Sequence, residues 1–272
     1  MACLVMVKLP EDPEQLRMSF GEHLEELRRR LFKGLGLIFV LFIGGWAFLD
    51  EALQKVFLAP HFRAIQALNS GSDPLGLSEK LQVHSPLEVV FFNLKISLIL
   101  ALIIGFPYLV YQVWGFVAAG LYPKERKVVM RYVPFSMFAA VAGILFGYFI
   151  IIPLILQFLY GMINPAFMDD AYRLSYYFSI FLMFTLALTA VFQLPLIMMG
   201  LGAAGLVEAK TLRRYRRHFV LGCFVFAAIF TPPEPFSQVL MAVPTITLYE
   251  FGILLVAFRA KKNAQTQTET SS

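Results

Sequence analysis

The sequence predicts an all-α integral membrane protein of six transmembrane helices. Two observations predict it. The apolar residues stand in long blocks, and Lys and Arg gather in the segments that such blocks would leave on one face of a bilayer. Of 272 residues, 58% are hydrophobic and 15% charged, and Phe alone takes 28 positions. A soluble domain carries about a quarter charged residues. One helical bundle in lipid therefore accounts for the chain better than one or two soluble domains.

The spans follow in order. Residues 1–18 read as a flexible cytoplasmic arm with no cleavable-signal layout, because the basic group comes late and no small-residue cleavage site follows the apolar run. A single membrane domain, 19–258, holds spans at about 32–50, 87–113, 128–159, 176–201, 216–232 and 236–258. Residues 259–272 read as a disordered tail. Pro134 and Pro153 lie near the ends of the third span, and the turn Thr231-Pro232-Pro233-Glu234-Pro235 separates the last two.

The fifth span is the short one. Its uninterrupted apolar run, Phe219–Phe230, is 12 residues, whereas a crossing takes about 20. Charge favours keeping it. With six crossings, one side collects 18 of the 23 Lys and Arg residues, and the other holds only Lys55, Arg63, Lys80 and Arg173. This positive-inside bias places both termini in the cytoplasm. A short crossing is accommodated by local bilayer thinning or by partners. The outer loops are unequal. The first, Asp50 to Glu88, has room for short helices and is broken up by Pro60 and the Gly71–Pro74 cluster.

Local chemistry is concentrated at a few points. Ser19-Phe20-Gly21-Glu22 is a capping box that starts a helix leading into the first span. On that helix Glu22, Glu26 and Arg30 share a charged face suited to a basic partner segment, and Glu25 and Arg29 also stand four apart. Gln112 and Trp114 mark a membrane interface. Pro123 suits a helix's first turn, with Glu125 the lone acid in a basic loop. Polar residues within the spans are few, and a charge costs about 2.5–3.5 kcal/mol at a span centre, so Glu88, Lys95, Gln193, Gln238 and Glu250 stand out. Pro107, Pro195 and Pro244 each free a backbone carbonyl and bend a helix.

No catalytic or metal-ligating constellation is present. HExxH, P-loop and GxSxG patterns are absent, the four histidines are scattered, and Cys3 and Cys223 fall in different regions. No internal repeat of the transporter kind is visible. On the residues alone, small-solute transport, reception and scaffolding all stay open.

Four blocks carry a resemblance. They are Ser19-Phe20-Gly21-Glu22-His23-Leu24-Glu25-Glu26-Leu27-Arg28-Arg29-Arg30-Leu31, Tyr111-Gln112-Val113-Trp114-Gly115-Phe116, Gly120-Leu121-Tyr122-Pro123-Lys124-Glu125-Arg126 and Phe230-Thr231-Pro232-Pro233-Glu234-Pro235-Phe236-Ser237-Gln238. In this order, across about residues 18–258, they resemble TatC, the multispanning component of the twin-arginine protein translocase. The resemblance implies a curved, glove-like bundle of six helices in the cytoplasmic (inner) membrane of a prokaryote, with both termini cytoplasmic. It implies no enzyme activity, no cofactor and no nucleic acid. The expected ligands are paired-arginine signal peptides on folded cargo. The expected partners are TatA-type and TatB-type single-span proteins and further copies in a larger receptor complex. Export is expected to draw on the protonmotive force.

The resemblance also assigns residues. Glu26 and Glu125 match acids implicated in arginine-pair recognition, with Arg28 and Phe116 on the same surface. Pro60 matches a functional proline of the first outer loop. Thr231, Glu234 and Gln238 match the region where the last two helices meet a partner helix, with Glu234 where the family usually has Asp. Gln193 stands before Pro195 where family members often have Glu, so a proton-relay role is not expected there.

Overall fold

Helix α1, Phe20–Ala47, starts one residue after Ser19, where the capping box places it. The computed structural model describes residues 20–48, 51–71, 75–78, 80–82, 85–120, 126–127, 130–164, 172–203, 205 and 207–270; Ser19 lies outside these. After α1 come α2 (Glu51–Asn69), α3 (Pro86–Ala119), α4 (Val133–Phe146), a π turn (Gly147–Ile151), α5 (Ile152–Gly161), α6 (Leu174–Val191), α7 (Leu194–Ala203), α8 (Ala209–Arg214), α9 (Arg216–Phe230) and α10 (Pro235–Thr270). The result is an all-α multi-span membrane bundle. Among the described residues five stretches are long and apolar enough to cross a bilayer: Gly21–Ala47, Leu87–Ala119, Val133–Gly161, Leu174–Ala203 and Pro235–Lys261. At 15 residues, or about 22 Å, α9 falls short of that length.

Each proline leaves a distinct mark. Ser85 caps α3 by accepting from the Leu87 N–H, with Pro86 in the first turn. Pro153 follows the π turn of the third span, where the helix ladder loosens. Pro195 breaks the fourth span into α6 and α7 at Phe192–Gln193. Pro60 departs from expectation. It does not break up the first outer loop but sits buried inside α2, which runs 19 residues through it. A proline there removes the hydrogen bond to the Val56 carbonyl and crowds that turn. The local carbonyls are satisfied from elsewhere: Tyr148 Oη donates to Val56 O at 2.6 Å, and Tyr177 Oη donates to Phe57 O at 2.5 Å.

The main core lies at the end of the bundle that carries α2. Phe57 and Ile65 of α2 pack with Phe92 and Ile96 of α3, Ile155 and Leu156 of α5, and Tyr177, Phe181 and Phe184 of α6. Fully buried His61 of α2 joins this cluster, its Nδ1 2.9 Å from Tyr160 Oη. Two loops are tied together there, since the Gln82 N–H donates to Tyr172 O at 2.8 Å. A smaller core at the other end joins Val110 and Trp114 of α3, Val133 and Ala140 of α4, and Leu196 of α7. Small residues permit close helix approach, as is common in membranes. A Cβ on Gly143 would stand 3.1 Å from the Thr189 Cα, and one on Gly252 3.2 Å from the Pro195 Cα.

At the C-terminus α10 continues as helix to Thr270, through residues where a disordered tail is expected from 259. Ala260, Lys261, Lys262 and Gln265 are good helix formers, and no Gly or Pro follows to stop the helix.

The proline turn of α2 yields a measurable contrast. Tyr177→Phe removes a buried inter-helix bond to the Phe57 carbonyl and lowers stability by about 1 kcal/mol. Tyr148→Phe has a smaller effect, because the Val56 position is open to solvent. Thermal unfolding of both variants in one detergent checks the order.

Candidate functional site

The first turns of α1 and the last turns of α3 meet at the end of the bundle away from α2. His23, Glu26 and Arg30 recur at helical spacing, so one face of α1 carries all three. The His23 ring stacks on Phe116, with centroids 4.3 Å apart and planes 20° apart. Glu26 is buried at 7% exposure. Its Oε1 accepts from Arg30 Nε at 2.6 Å, and its Oε2 accepts from Arg29 Nη2 at 2.5 Å. Arg29, four residues after Glu25, thus turns to Glu26 instead. Arg30 Nη1 also reaches Gln112 Oε1 at 3.5 Å, and the guanidinium fills the space over Gly115 where any Cβ would collide with it.

Of the expected recognition residues, the structure brings Glu26 and Phe116 to one junction. Arg28 is exposed and lies over the Phe32 ring at 5.8 Å. Glu125 lies outside the described residues. His23, Arg30, Gln112 and Gly115 complete the junction without having been assigned to it. The charged face on α1 hinted at Arg30, but no local pattern joins residues 82 positions apart.

The remaining positions lie elsewhere. Phe236 at the start of α10 stacks on Phe158 at 4.0 Å, near Tyr160 and therefore near α2. This places the α9–α10 turn at the opposite end from Glu26. Thr231 there is buried and caps the end of α9, its N–H donating to Ala227 O. Glu234 caps α10: its carboxylate accepts from the Phe236 N–H and the Ser237 N–H, both at 2.9 Å, and from Ser237 Oγ. A negative charge at a helix N-terminus is favourable. Gln238 is half-buried, and its side-chain amide makes no hydrogen bond among the described residues.

Gln193 occupies the break in the fourth span and is buried. Its Oε1 accepts from Ser136 Oγ, and its Nε2 donates to Ser136 O at 3.2 Å. Trp114 Nε1 donates to Ser136 Oγ at 2.7 Å. Trp114 is therefore no interface marker. It is 8% exposed and tied into the bundle by its indole N–H. Among the described residues no three His, Cys, Asp or Glu side chains group to hold a metal ion.

Comparison with known proteins bears on this arrangement. Residues 22–244 match the model of the family described as Sec-independent protein translocase protein (TatC). The chain belongs to the TatC family. It is 33% identical to the Sec-independent protein translocase protein TatC of Halalkalibacterium halodurans over 238 residues, covering 87% of this chain and 88% of that one. It is 32% identical to TatCy of Bacillus subtilis over 260 residues, covering 94% and 96%. A crystal structure of the twin arginine translocase receptor TatC superposes with a TM-score of 0.72 at 30% identity, covering 87% of this chain and 98% of that one. TatC family proteins are translocase components, not enzymes.

The Gln193 network can be tested by its coupling. Gln193→Leu removes two bonds and leaves the Ser136 hydroxyl half-satisfied, lowering stability by about 1–2 kcal/mol. Ser136→Ala acts through the same link, so the double variant is expected to melt close to the worse single one. Additive losses in a thermal melt would show that the two side chains act separately.

Proposed function

We propose that this chain is the receptor subunit of a twin-arginine translocase, binding paired-arginine signal peptides on folded cargo. With TatA-type and TatB-type partners it exports that cargo across the cytoplasmic membrane of a prokaryote, drawing on the protonmotive force. One observation carries the site assignment: a buried carboxylate, Glu26, already accepts from two guanidinium groups at the α1–α3 junction. Arg suits such sites because its planar fork matches a carboxylate and is more weakly hydrated than an ammonium. Phe116, stacked under His23, supplies an aromatic wall beside the carboxylate. Glu125 is the second acid in this reading, and Arg28 borders the surface.

The orientation proposed is six crossings with both termini cytoplasmic. The 18-to-4 bias of Lys and Arg supports it. The shortness of α9 is consistent with a thinned bilayer at that edge. Reporter fusions after Lys80, Asp170 and Glu234 are expected to report outside, and a cytoplasmic signal from the Glu234 fusion would remove the last two crossings. In the same reading the Pro60 helix covers the outer face. Thr231, Glu234 and Gln238 form the edge offered to a partner helix, where the half-buried Gln238 amide is available to a polar group. Further copies of the chain join in a larger receptor complex.

Binding is the deciding experiment. Detergent-purified protein should prefer a paired-arginine signal peptide to its paired-lysine counterpart. Removing one partner of a desolvated ion pair costs about 2–5 kcal/mol, and less where the surface is hydrated and salt-screened. Glu26→Gln should weaken the arginine peptide, Glu125→Gln should leave residual binding, and Glu125→Lys should abolish it, with a thermal melt of each variant separating loss of binding from loss of fold. Equal affinity for both peptides in the unmodified protein would sink the assignment.

A further inference from the structure

We infer that the neighbouring residues Arg29 and Arg30 act on cargo recognition with opposite sign: Arg30 holds Glu26 in place, and Arg29 is a displaceable occupant of the position a cargo arginine takes. The inference rests on the recognition reading above and deepens it.

The two arginines share one carboxylate but not one environment. The Arg30 side chain is 19% exposed and Arg29 is 64% exposed. Arg30 is held at three points: Nε on Glu26 Oε1, Nη1 at the edge of hydrogen-bond reach of Gln112 Oε1, and the guanidinium against Gly115. It joins α1 to α3 and orients Glu26 at the junction. Among the described residues Arg29 has one polar contact, Nη2 on Glu26 Oε2, and its side chain is otherwise largely exposed. An exposed pair of this kind contributes little stability. The Oε2 atom is therefore the half of the carboxylate that an incoming guanidinium can claim. Arg29 then leaves for water at little cost, while Arg30 stays.

Such an exchange has two consequences. The carboxylate is never bare, so the empty receptor does not hold an uncompensated buried charge. A ligand must also displace a tethered guanidinium that is always at hand, which sets a threshold for weak competitors. A lysine ammonium is strongly hydrated and lacks the fork, so it competes poorly with Arg29, whereas another guanidinium can make the same contact.

Simple alternatives predict otherwise. If only net charge mattered, removing either arginine would strengthen binding of a cationic peptide. If both merely supported the fold, removing either would weaken it. The test measures affinity of the full-length, detergent-purified protein for a fluorescent paired-arginine signal peptide. Arg29→Gln is expected to tighten binding about two- to fivefold, the equivalent of one exposed ion pair. Arg30→Gln is expected to weaken it about tenfold or more, as loss of a partly buried pair does. Gly115→Ala keeps the Arg30 charge but fills its slot, and should weaken binding in the same direction, so the inference stays testable if Arg30→Gln does not fold. Lys33→Gln removes an exposed charge one turn beyond the pair and should shift affinity less than twofold. Movement of Arg29→Gln and Arg30→Gln in the same direction, or no change in Arg29→Gln, overturns the inference while leaving the recognition reading intact. Absence of any arginine-over-lysine preference in the unmodified protein overturns both.

Discussion

A chain in lipid has no water to complete its backbone hydrogen bonds, so every place where a helix is broken or ended must be satisfied by the protein itself. Several of this bundle's buried polar side chains stand at such places. Tyr148 and Tyr177 donate to the carbonyls beside Pro60. Gln193 stands in the break before Pro195 and ties it to α4, its side chain meeting the Ser136 hydroxyl and carbonyl. Glu234 accepts from the first free N–H groups of α10 after Pro235. Two of these repairs reach from one helix to another, so they also fix how those helices pack. At Pro60 and Pro195 an interrupted helix is thus also a point at which the bundle is cross-linked.

The Glu26 junction follows a different rule, because a charge is being satisfied and not a backbone group. A carboxylate with little solvent access needs opposite charge within reach. Here its own helix supplies both partners, one anchored across to α3 and one loose. The loose pair makes the site reversible, and the anchored pair keeps its geometry when the loose one is exchanged. Gly115 belongs to the same design, since any larger residue would evict Arg30. Stability and recognition are drawn from adjacent residues of one helical turn.

Much of the fold was legible because long apolar runs are a property of the chain itself. The start of α1, the bend at Pro195 and the shortness of α9 all depend on a few neighbouring residues, and each is where local chemistry places it. Pro60 was misleading. Proline reads locally as a breaker, yet here distant tyrosines satisfy the carbonyls beside it and the helix continues. Trp114 was misleading for the same reason, since its partner Ser136 lies across the bundle. The junction of His23 with Phe116 and of Arg30 with Gln112 joins segments more than eighty residues apart. No spacing rule encodes that, and only the resemblance to TatC put those segments side by side.

The amide at position 193 shows what a single atom changes in such a setting. Ser136 presents both a hydroxyl donor and a carbonyl acceptor, and Gln193 answers each with its own opposite. A carboxylate at this position has two acceptors and no donor unless it is protonated. It would meet the hydroxyl well and face the carbonyl lone pairs without a proton between. Where Glu stands here, the link depends on a proton; with Gln it does not. The Trp114–Ser136–Gln193 link is therefore a fixed joint in this chain, holding α3, α4 and the broken fourth span in register at any pH.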